Sequence, residues 1–137
     1  MSDQTVTPDQ AVAAVLPLYE AFTRRDLPAA LACMADDIEW HESGGLPWGG
    51  LEFGPAAVAK GIFTPALARV PDLTITPEEI VSSGDTVMVI HRYQGTAAAT
   101  GGALDLLGVG VWTVRDGLIA RYRQFVDTVR FRVAIAA

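Results

Sequence analysis

The stretch at residues 85–127 constrains the fold most, because its pattern predicts three long strands joined by short turns. The strands are expected at residues 86–95, 103–114 and 118–128, which are rich in Val, Ile and aromatic residues. These residue types favour strands, and the Asp116-Gly117 pair is typical of a tight hairpin turn. We therefore expect an antiparallel meander that carries or faces most of the chemically useful side chains.

The composition predicts one globular domain over residues 1–137. Hydrophobic residues make up 50% of the chain and charged residues 19%, which is enough apolar material for a sizeable core. Nucleic acids are bound by clustered Lys and Arg. The net charge of −6 and the scattered basic residues therefore argue against a nucleic-acid partner.

The cysteine content and the first residues predict a cytoplasmic location. The single cysteine, Cys33, cannot form an internal disulfide, which fits a reducing compartment. The N-terminal residues contain acid and no apolar run, so no signal peptide is expected. No stretch approaches the ~18 apolar residues of a membrane span, and we expect no membrane partner.

The N-terminal part of the chain predicts two helices followed by a strand. The segment Thr7-Pro8-Asp9-Gln10 has the pattern of a capping box with proline in the first turn, so a helix is expected from there to Arg24-Arg25. Asp26 is expected to cap a second helix at residues 27–34. A strand is expected at residues 38–43, where apolar and polar residues alternate.

The central part predicts a loop, a bent helix and an irregular strand. Residues 44–54 are dense in Gly and Pro, and a helix is expected from Pro55 to about Arg69, bent or broken at Pro65. Residues 73–81 alternate weakly, and their proline predicts an edge or bulged strand. The whole order predicts an α+β fold with helices on one face of a curved antiparallel sheet.

Several segments are similar to the SnoaL-like and ketosteroid-isomerase-like branch of the NTF2-like superfamily. They are residues 19–42 (YEAFTRRDLPAALACMADDIEWHE), the LPWGG loop, the HRYQG segment and VWTVRDGLIARYRQFVDT. The resemblance implies a cone of curved sheet wrapped by helices around an apolar cavity, commonly as a homodimer. That fold hosts isomerases, polyketide cyclases, dehydratases, epoxide hydrolases and non-catalytic binders.

The resemblance also implies site residues. The general base of the isomerases corresponds to Glu42, and strand alternation independently places Glu42 on the same face as Trp40. A cavity-lining position corresponds to His91, and the base of SnoaL-like cyclases corresponds to Asp127. The expected catalytic residues are therefore Glu42, His91 and Asp127.

The remaining isomerase groups match less well. The second catalytic acid falls near Gly110, which has no side chain, and the tyrosine donor falls near Leu18, one position from Tyr19. The expected substrate-binding walls are Tyr19, Trp40, Trp48, Phe63 and Trp112.

These groups predict a cofactor-independent acid/base enzyme that acts on a small apolar carbonyl compound. Burial of a carboxylate in an apolar cone raises its pKa toward neutrality, where a general base is most useful. Such a group could serve an isomerase, a polyketide-cyclase-like enzyme or a dehydratase. No metal is expected, because the two histidines, His41 and His91, lack ligand spacing.

Other interpretations of the same residues stay open. His91 could be a packed strand residue, Glu42 could lie in solvent at a strand end, and Asp127 could cap that end or pair with a nearby arginine. The alternative function is a non-catalytic small-molecule-binding or dimerisation module of the same fold. Epoxide hydrolysis is a weaker alternative, since the sequence shows no Asp-Arg-Asp arrangement facing the cavity.

Overall fold

The computed structural model describes residues 6–136 and has an α+β fold. Its helices are α1 (Pro8–Thr23), α2 (Leu27–Ala32), α3 (Pro55–Val58), α4 (Thr64–Arg69) and α5 (Thr128–Ala136), with a π-helical turn at Ala59–Phe63. Its strands are β1 (Met34–His41), β2 (Leu51–Phe53), β3 (Thr74–Ser83), β4 (Thr86–Thr96), β5 (Ala103–Arg115) and β6 (Leu118–Val126). The expected fold class is confirmed.

The strands form one six-stranded sheet in the order β2-β1-β6-β5-β4-β3. The predicted meander is present as β4, β5 and β6. β4 pairs antiparallel with β5, and β5 pairs antiparallel with β6. β1 joins the sheet by pairing parallel with β6. As the proline predicted, β3 lies at the sheet edge and its register shifts between Pro77 and Glu79.

The first helix begins where the sequence predicts it. The Thr7 side chain accepts a hydrogen bond from the Gln10 backbone N–H, and the Gln10 side chain accepts one from the Thr7 N–H. These reciprocal bonds satisfy two donors that the first turn leaves free. α1 buries one face, including Val15, Leu18 and Phe22, against the sheet.

The helix expected from Pro55 to Arg69 is present as three consecutive segments. The π-helical turn Ala59–Phe63 ends two residues before Pro65, and the Thr64 N–H bonds to the Ala59 carbonyl five residues back. Proline cannot donate the usual helical hydrogen bond and its ring crowds the preceding turn, so the wider turn accommodates it. Both Ile62 and Phe63 are buried as a result.

Several predicted boundaries were wrong. β1 spans Met34–His41, whereas the strand was expected at residues 38–43, and the loop at residues 44–54 contains the short strand β2. The last strand ends at Val126, and α5 follows it. Asp127 begins this helix, because its carboxylate accepts a hydrogen bond from the Arg130 N–H at 3.0 Å.

The core lies between the helices and the concave face of the sheet. α1 packs on β3 and β4, and α5 packs on β5. Among residues 6–136, no helix is long and apolar enough to cross a membrane.

Candidate functional site

An aromatic cavity lies between α1, the π-helical turn, the sheet and α5. Nine of its 17 lining residues are Phe, Tyr or Trp, and its free volume is about 50 Å³. The polar groups on its wall come from Tyr19, Glu42, His91, Tyr93 and Gln124, together with further aromatic side chains. An apolar pocket with a few convergent polar groups is the usual form of a ligand site.

Glu42 stands at one end of this cavity, directly after β1. Its Oε1 accepts a hydrogen bond from Trp40 Nε1 and its Oε2 accepts one from Trp48 Nε1, both at 2.9 Å. Burial raises the pKa of the Glu42 carboxyl, and hydrogen bonds from the two indoles and from Gln124 oppose that rise. A carboxylate with a raised pKa in an apolar site is suited to proton transfer near neutral pH.

The loop at residues 44–50 covers Glu42. Gly49 has a φ of +92°, and a Cβ at this position would lie 2.7 Å from the Glu42 side chain. Only glycine accepts both the left-handed backbone and this close approach. Trp48, carried by the same loop, also packs edge-on against Phe131 of α5 with ring centroids 5.5 Å apart.

A hydrogen-bonded chain of buried side chains runs along the cavity wall from α1 to the sheet. Trp112 Nε1 donates to Tyr19 Oη at 3.0 Å, and Tyr19 Oη lies 2.7 Å from His91 Nδ1. His91 Nε2 lies 2.9 Å from Tyr93 Oη, which also accepts from Gln124 Nε2 at 2.8 Å. The chain therefore joins α1, β4, β5 and β6 through buried polar atoms.

His91 occupies the centre of this chain and is neutral. Only 1% of its surface is exposed, and burial lowers its pKa from 6.5 to about 4. Burial also raises the pKa values of the Tyr19 and Tyr93 hydroxyls. Near neutral pH the chain consequently contains two protonated phenols and one uncharged imidazole.

Gln124 connects this chain to the end of β1. Its Oε1 accepts a hydrogen bond from the Ser43 backbone N–H at 2.8 Å, and the Ser43 Oγ donates to the Gln124 carbonyl at 2.9 Å. Because Ser43 follows Glu42 directly, Gln124 holds the carboxylate and the Tyr93 hydroxyl in one rigid arrangement.

The sequence matches the SnoaL-like domain over residues 15–122. An uncharacterised protein of Mycobacterium tuberculosis is 30% identical over 120 residues, which cover 88% of this chain and 91% of that protein. The chain belongs to the SnoaL-like family.

Solved structures place this SnoaL-like domain in the NTF2-like superfamily. An NTF2-like protein of unknown function from Burkholderia pseudomallei is 28% identical, with a TM-score of 0.86 over 93% of this chain and 98% of that one. A Mycobacterium tuberculosis protein in complex with estradiol-17β-hemisuccinate is 27% identical, with a TM-score of 0.72 over 86% and 94% of the two chains.

The SnoaL-like domain brings most of the predicted site residues together. Glu42, His91 and all five predicted wall residues line the cavity: Tyr19, Trp40, Trp48, Phe63 and Trp112. Asp127 does not reach it, because this residue is exposed and caps α5. The structure therefore separates Asp127 from the other two predicted catalytic residues.

Among the cavity residues that were not predicted as site residues are Tyr93, Tyr122, Gln124 and Phe131. Strand alternation could have found the first three, since Tyr93 shares the face of His91 and residues 122 and 124 share another inward face. Phe131 could not be found, because the helix that carries it was not predicted.

Gly110, where the resemblance places a second acid, has a packing role in this SnoaL-like domain. A Cβ here would lie 2.8 Å from Tyr122, 2.9 Å from Trp112 and 3.1 Å from His91. The missing side chain therefore makes room for three rings of the cavity wall.

Two other arrangements lie away from the cavity. Arg92 pairs with Glu78 and Asp105 on the exposed face of the sheet, so this acid-arginine-acid group does not face the cavity as an epoxide hydrolase would require. Within residues 6–136, no three His, Cys, Asp or Glu side chains come together in a way that could hold a metal ion.

Proposed function

We propose that this domain is a cofactor-independent acid/base enzyme that enolises a small apolar carbonyl compound. The observation that carries the proposal is the Glu42 carboxylate, which two indole N–H groups hold at one end of an aromatic cavity. The same cavity presents phenol hydroxyls that can donate a hydrogen bond to an oxygen.

In the proposed reaction, Glu42 removes a proton from the carbon next to the carbonyl. The electron pair of that C–H bond moves toward the carbonyl oxygen and forms an enolate. A hydroxyl of Tyr19 or Tyr93 donates a hydrogen bond to this oxygen as negative charge develops. The protonated Glu42 then returns its proton to carbon, which completes an isomerisation, or the enolate proceeds to ring closure or elimination.

The proposal gives His91 a positioning role. Both of its ring nitrogens are hydrogen-bonded to phenol hydroxyls, those of Tyr19 and Tyr93. His91 therefore orients these hydroxyls, and the hydroxyls contact the ligand oxygen. Ligand binding is also supported by the related Mycobacterium tuberculosis structure, which contains a small molecule.

Solvent deuterium exchange tests the proposed chemistry. A panel of small ketones and enones would be incubated in D2O with wild type, Glu42→Gln and Asp127→Asn, and exchange at the α-carbon would be followed by proton NMR. We expect catalysed exchange in wild type and its loss in Glu42→Gln. The matched control, Asp127→Asn, keeps a good helix-capping residue outside the cavity and should retain exchange. Full exchange in Glu42→Gln would rule out Glu42 as the base.

The second candidate function is small-molecule binding without turnover. It is favoured by the number of hydrogen bonds that restrain the polar groups, since Glu42 accepts from both Trp40 and Trp48. In that case ligands would raise the melting temperature of wild type and Glu42→Gln equally. No compound would exchange its α-carbon hydrogens for solvent deuterium.

We also propose that the protein forms a homodimer in the cytoplasm. On the sheet face opposite the cavity, strand pairing places five apolar residues side by side: Val81, Met88, Ile90, Val109 and Phe125. Met88 and Phe125 are 48% and 53% exposed, and contiguous apolar patches of this kind commonly mark interfaces. The location is supported by the single cysteine, which fits a reducing compartment.

A further inference from the structure

A groove at the surface between α1 and β3 shares part of its wall with the aromatic cavity. Tyr19 and Ile75 line both spaces, so these two side chains separate the cavity from the groove. The half-buried residues that line the groove are all apolar: Leu16, Ile75 and Pro77. The groove therefore offers an apolar surface directly beyond the cavity wall.

The two spaces differ greatly in size. The free volume is about 50 Å³ in the cavity and about 520 Å³ in the groove. An apolar cavity of ~150 Å³ takes up a benzene molecule, and on that scale the present cavity holds about three non-hydrogen atoms, the number in an acetyl group. Any larger ligand that reaches Glu42 therefore has to extend out of the cavity.

Of the two side chains that separate these spaces, Ile75 is held less firmly. Tyr19 Oη accepts a hydrogen bond from Trp112 and is bonded to His91, which fixes the phenol. Ile75 lies on β3, which has a neighbouring strand on one side only. Two residues later, Pro77 cannot donate to the strand ladder, and the register shifts directly after it. Displacement of the Ile75 side chain is therefore the simplest way to join the groove to the cavity.

We infer that the groove is the second half of the binding site and holds the alkyl chain of a linear methyl ketone, whose acetyl end occupies the cavity. The inference rests on the proposed function, because it names the substrate class of the same cavity. The sheet order gives the direction of the ligand. Glu42 follows β1 and Ile75 lies on β3, and these two strands are on opposite sides of the sheet. The acetyl methyl group accordingly points toward Glu42 and the chain toward β3.

The affinities of a series of ketones test this ligand class. 2-Butanone, 2-pentanone and 2-heptanone would be titrated into wild type and followed by NMR. We expect Kd to fall about two- to fourfold for each added CH2 group, because each one leaves water for the apolar groove. Equal Kd values for 2-butanone and 2-heptanone would overturn the inference.

An isomer of 2-heptanone separates the proposed site from unspecific hydrophobic binding. 4-Heptanone has the same composition, but its carbonyl lies between two propyl groups, one of which would have to fit into the cavity. We expect 2-heptanone to bind at least about tenfold more tightly, since the second propyl group cannot be buried. Equal Kd values for the two isomers would also overturn the inference.

Two tryptophan variants locate the chain. Thr23 is exposed on α1 and lines the groove, so Thr23→Trp should fill the groove. It should weaken 2-heptanone at least about tenfold and 2-butanone less than about threefold. Val129 is 60% exposed on α5, and the adjacent Thr128 lies against the position of Gly45 in the loop. Val129→Trp therefore crowds the loop side of the cavity and should change neither Kd.

The opposite pattern in these variants would contradict the inference. If only Val129→Trp weakened 2-heptanone, the chain would leave the cavity beside the loop. An unchanged Kd in Thr23→Trp would exclude the groove directly.

Ile75→Ala tests the separating wall. Loss of most of this side chain makes the cavity and the groove continuous, so 4-heptanone should bind within about threefold of 2-heptanone. Ile75→Val keeps a residue that favours strands and should show an intermediate preference, which provides a readout if the alanine variant does not fold. Full discrimination between the isomers in the folded variants would show that Ile75 does not separate the two spaces.

These titrations need no turnover, so their outcome is independent of deuterium exchange. A dependence on chain length in wild type and Glu42→Gln, without exchange, would support the groove and remove the proposed enzyme activity. Exchange that is lost in Glu42→Gln, with no dependence of Kd on chain length, would support the enzyme and overturn the groove.

Discussion

Trp48 Nε1 donates to Glu42 Oε2 at 2.9 Å, so the loop that covers the cavity is anchored on the carboxylate it encloses. This bond stabilises the charged form of Glu42, while burial favours the neutral form. The position of the loop and the proton affinity of the base are therefore coupled.

Replacing Trp48 with Phe should raise the pKa of Glu42 further, because one donor to the carboxylate is lost. That donor stabilises the charged carboxylate, so its loss favours the protonated form. Since the base must be ionised, the acid limb of the pH profile for deuterium exchange should move to higher pH. Trp112→Phe removes an indole donor elsewhere in the cavity and serves as the control; an unchanged acid limb in Trp48→Phe would contradict the coupling.

Acid should destabilise the protein through His91. Its pKa falls from 6.5 to about 4 on folding, so the folded state binds its proton less readily than the unfolded state. The resulting stability is present above pH 6.5 and is lost as the pH falls toward 4, at a cost of about 3 kcal/mol. The raised pKa of Glu42 acts in the opposite direction, because protonation of its carboxyl favours the fold.

Urea unfolding at several pH values separates these two contributions. His91→Gln removes the imidazole titration and keeps Glu42, so its free energy of unfolding should fall less than that of wild type between pH 6.5 and 4. Parallel pH curves for the two proteins would show that His91 contributes nothing to acid sensitivity.

Gly110→Ala should destabilise the fold by about 1 to 3 kcal/mol, the usual cost of overpacking a core. The added Cβ would lie within 3.1 Å of Tyr122, Trp112 and His91. Gly44→Ala is the matched control, since a Cβ there meets nothing within 4 Å. Thermal unfolding should show a clear drop for the first variant and little change for the second.

Met88→Lys should weaken the proposed homodimer at least about tenfold, because the apolar patch would have to bury a charge. Val133→Lys changes a residue of similar exposure on α5, where Val133 is 60% exposed and Met88 is 48% exposed. It should leave association unchanged. Sedimentation of wild type as a monomer at micromolar concentration would remove the basis for this prediction.

Local pattern was sufficient to predict the meander and the first helix. Residues 86–95 alternate between two faces, and Thr7 and Gln10 form a capping box that depends on neighbouring residues alone. The helix α5 escaped prediction because the strand pattern appeared to continue through Asp127. Its buried face consists of only two residues, Phe131 and Ile135, one turn apart.

The site could be predicted as a set of residues but not as a network. Strand alternation and family resemblance placed Glu42 and His91 in the cavity. The partnership between His91 and Tyr19 joins residues 72 positions apart, and nothing in the local sequence signals it. The same holds for Gln124, which becomes important only through its bonds to Ser43 and Tyr93.

The π-helical turn at Ala59–Phe63 means that part of the cavity wall is determined by chain length as well as by residue identity. Because the wider turn holds an extra residue, the consecutive side chains of Ile62 and Phe63 can both line the cavity. Deleting one residue from this turn would restore an ordinary helix, in which consecutive side chains point about 100° apart, so only one of the two would face the cavity. Phe63 would then leave the cavity without any substitution of an aromatic residue, so homologues that differ by one residue here are expected to accept ligands of different shape.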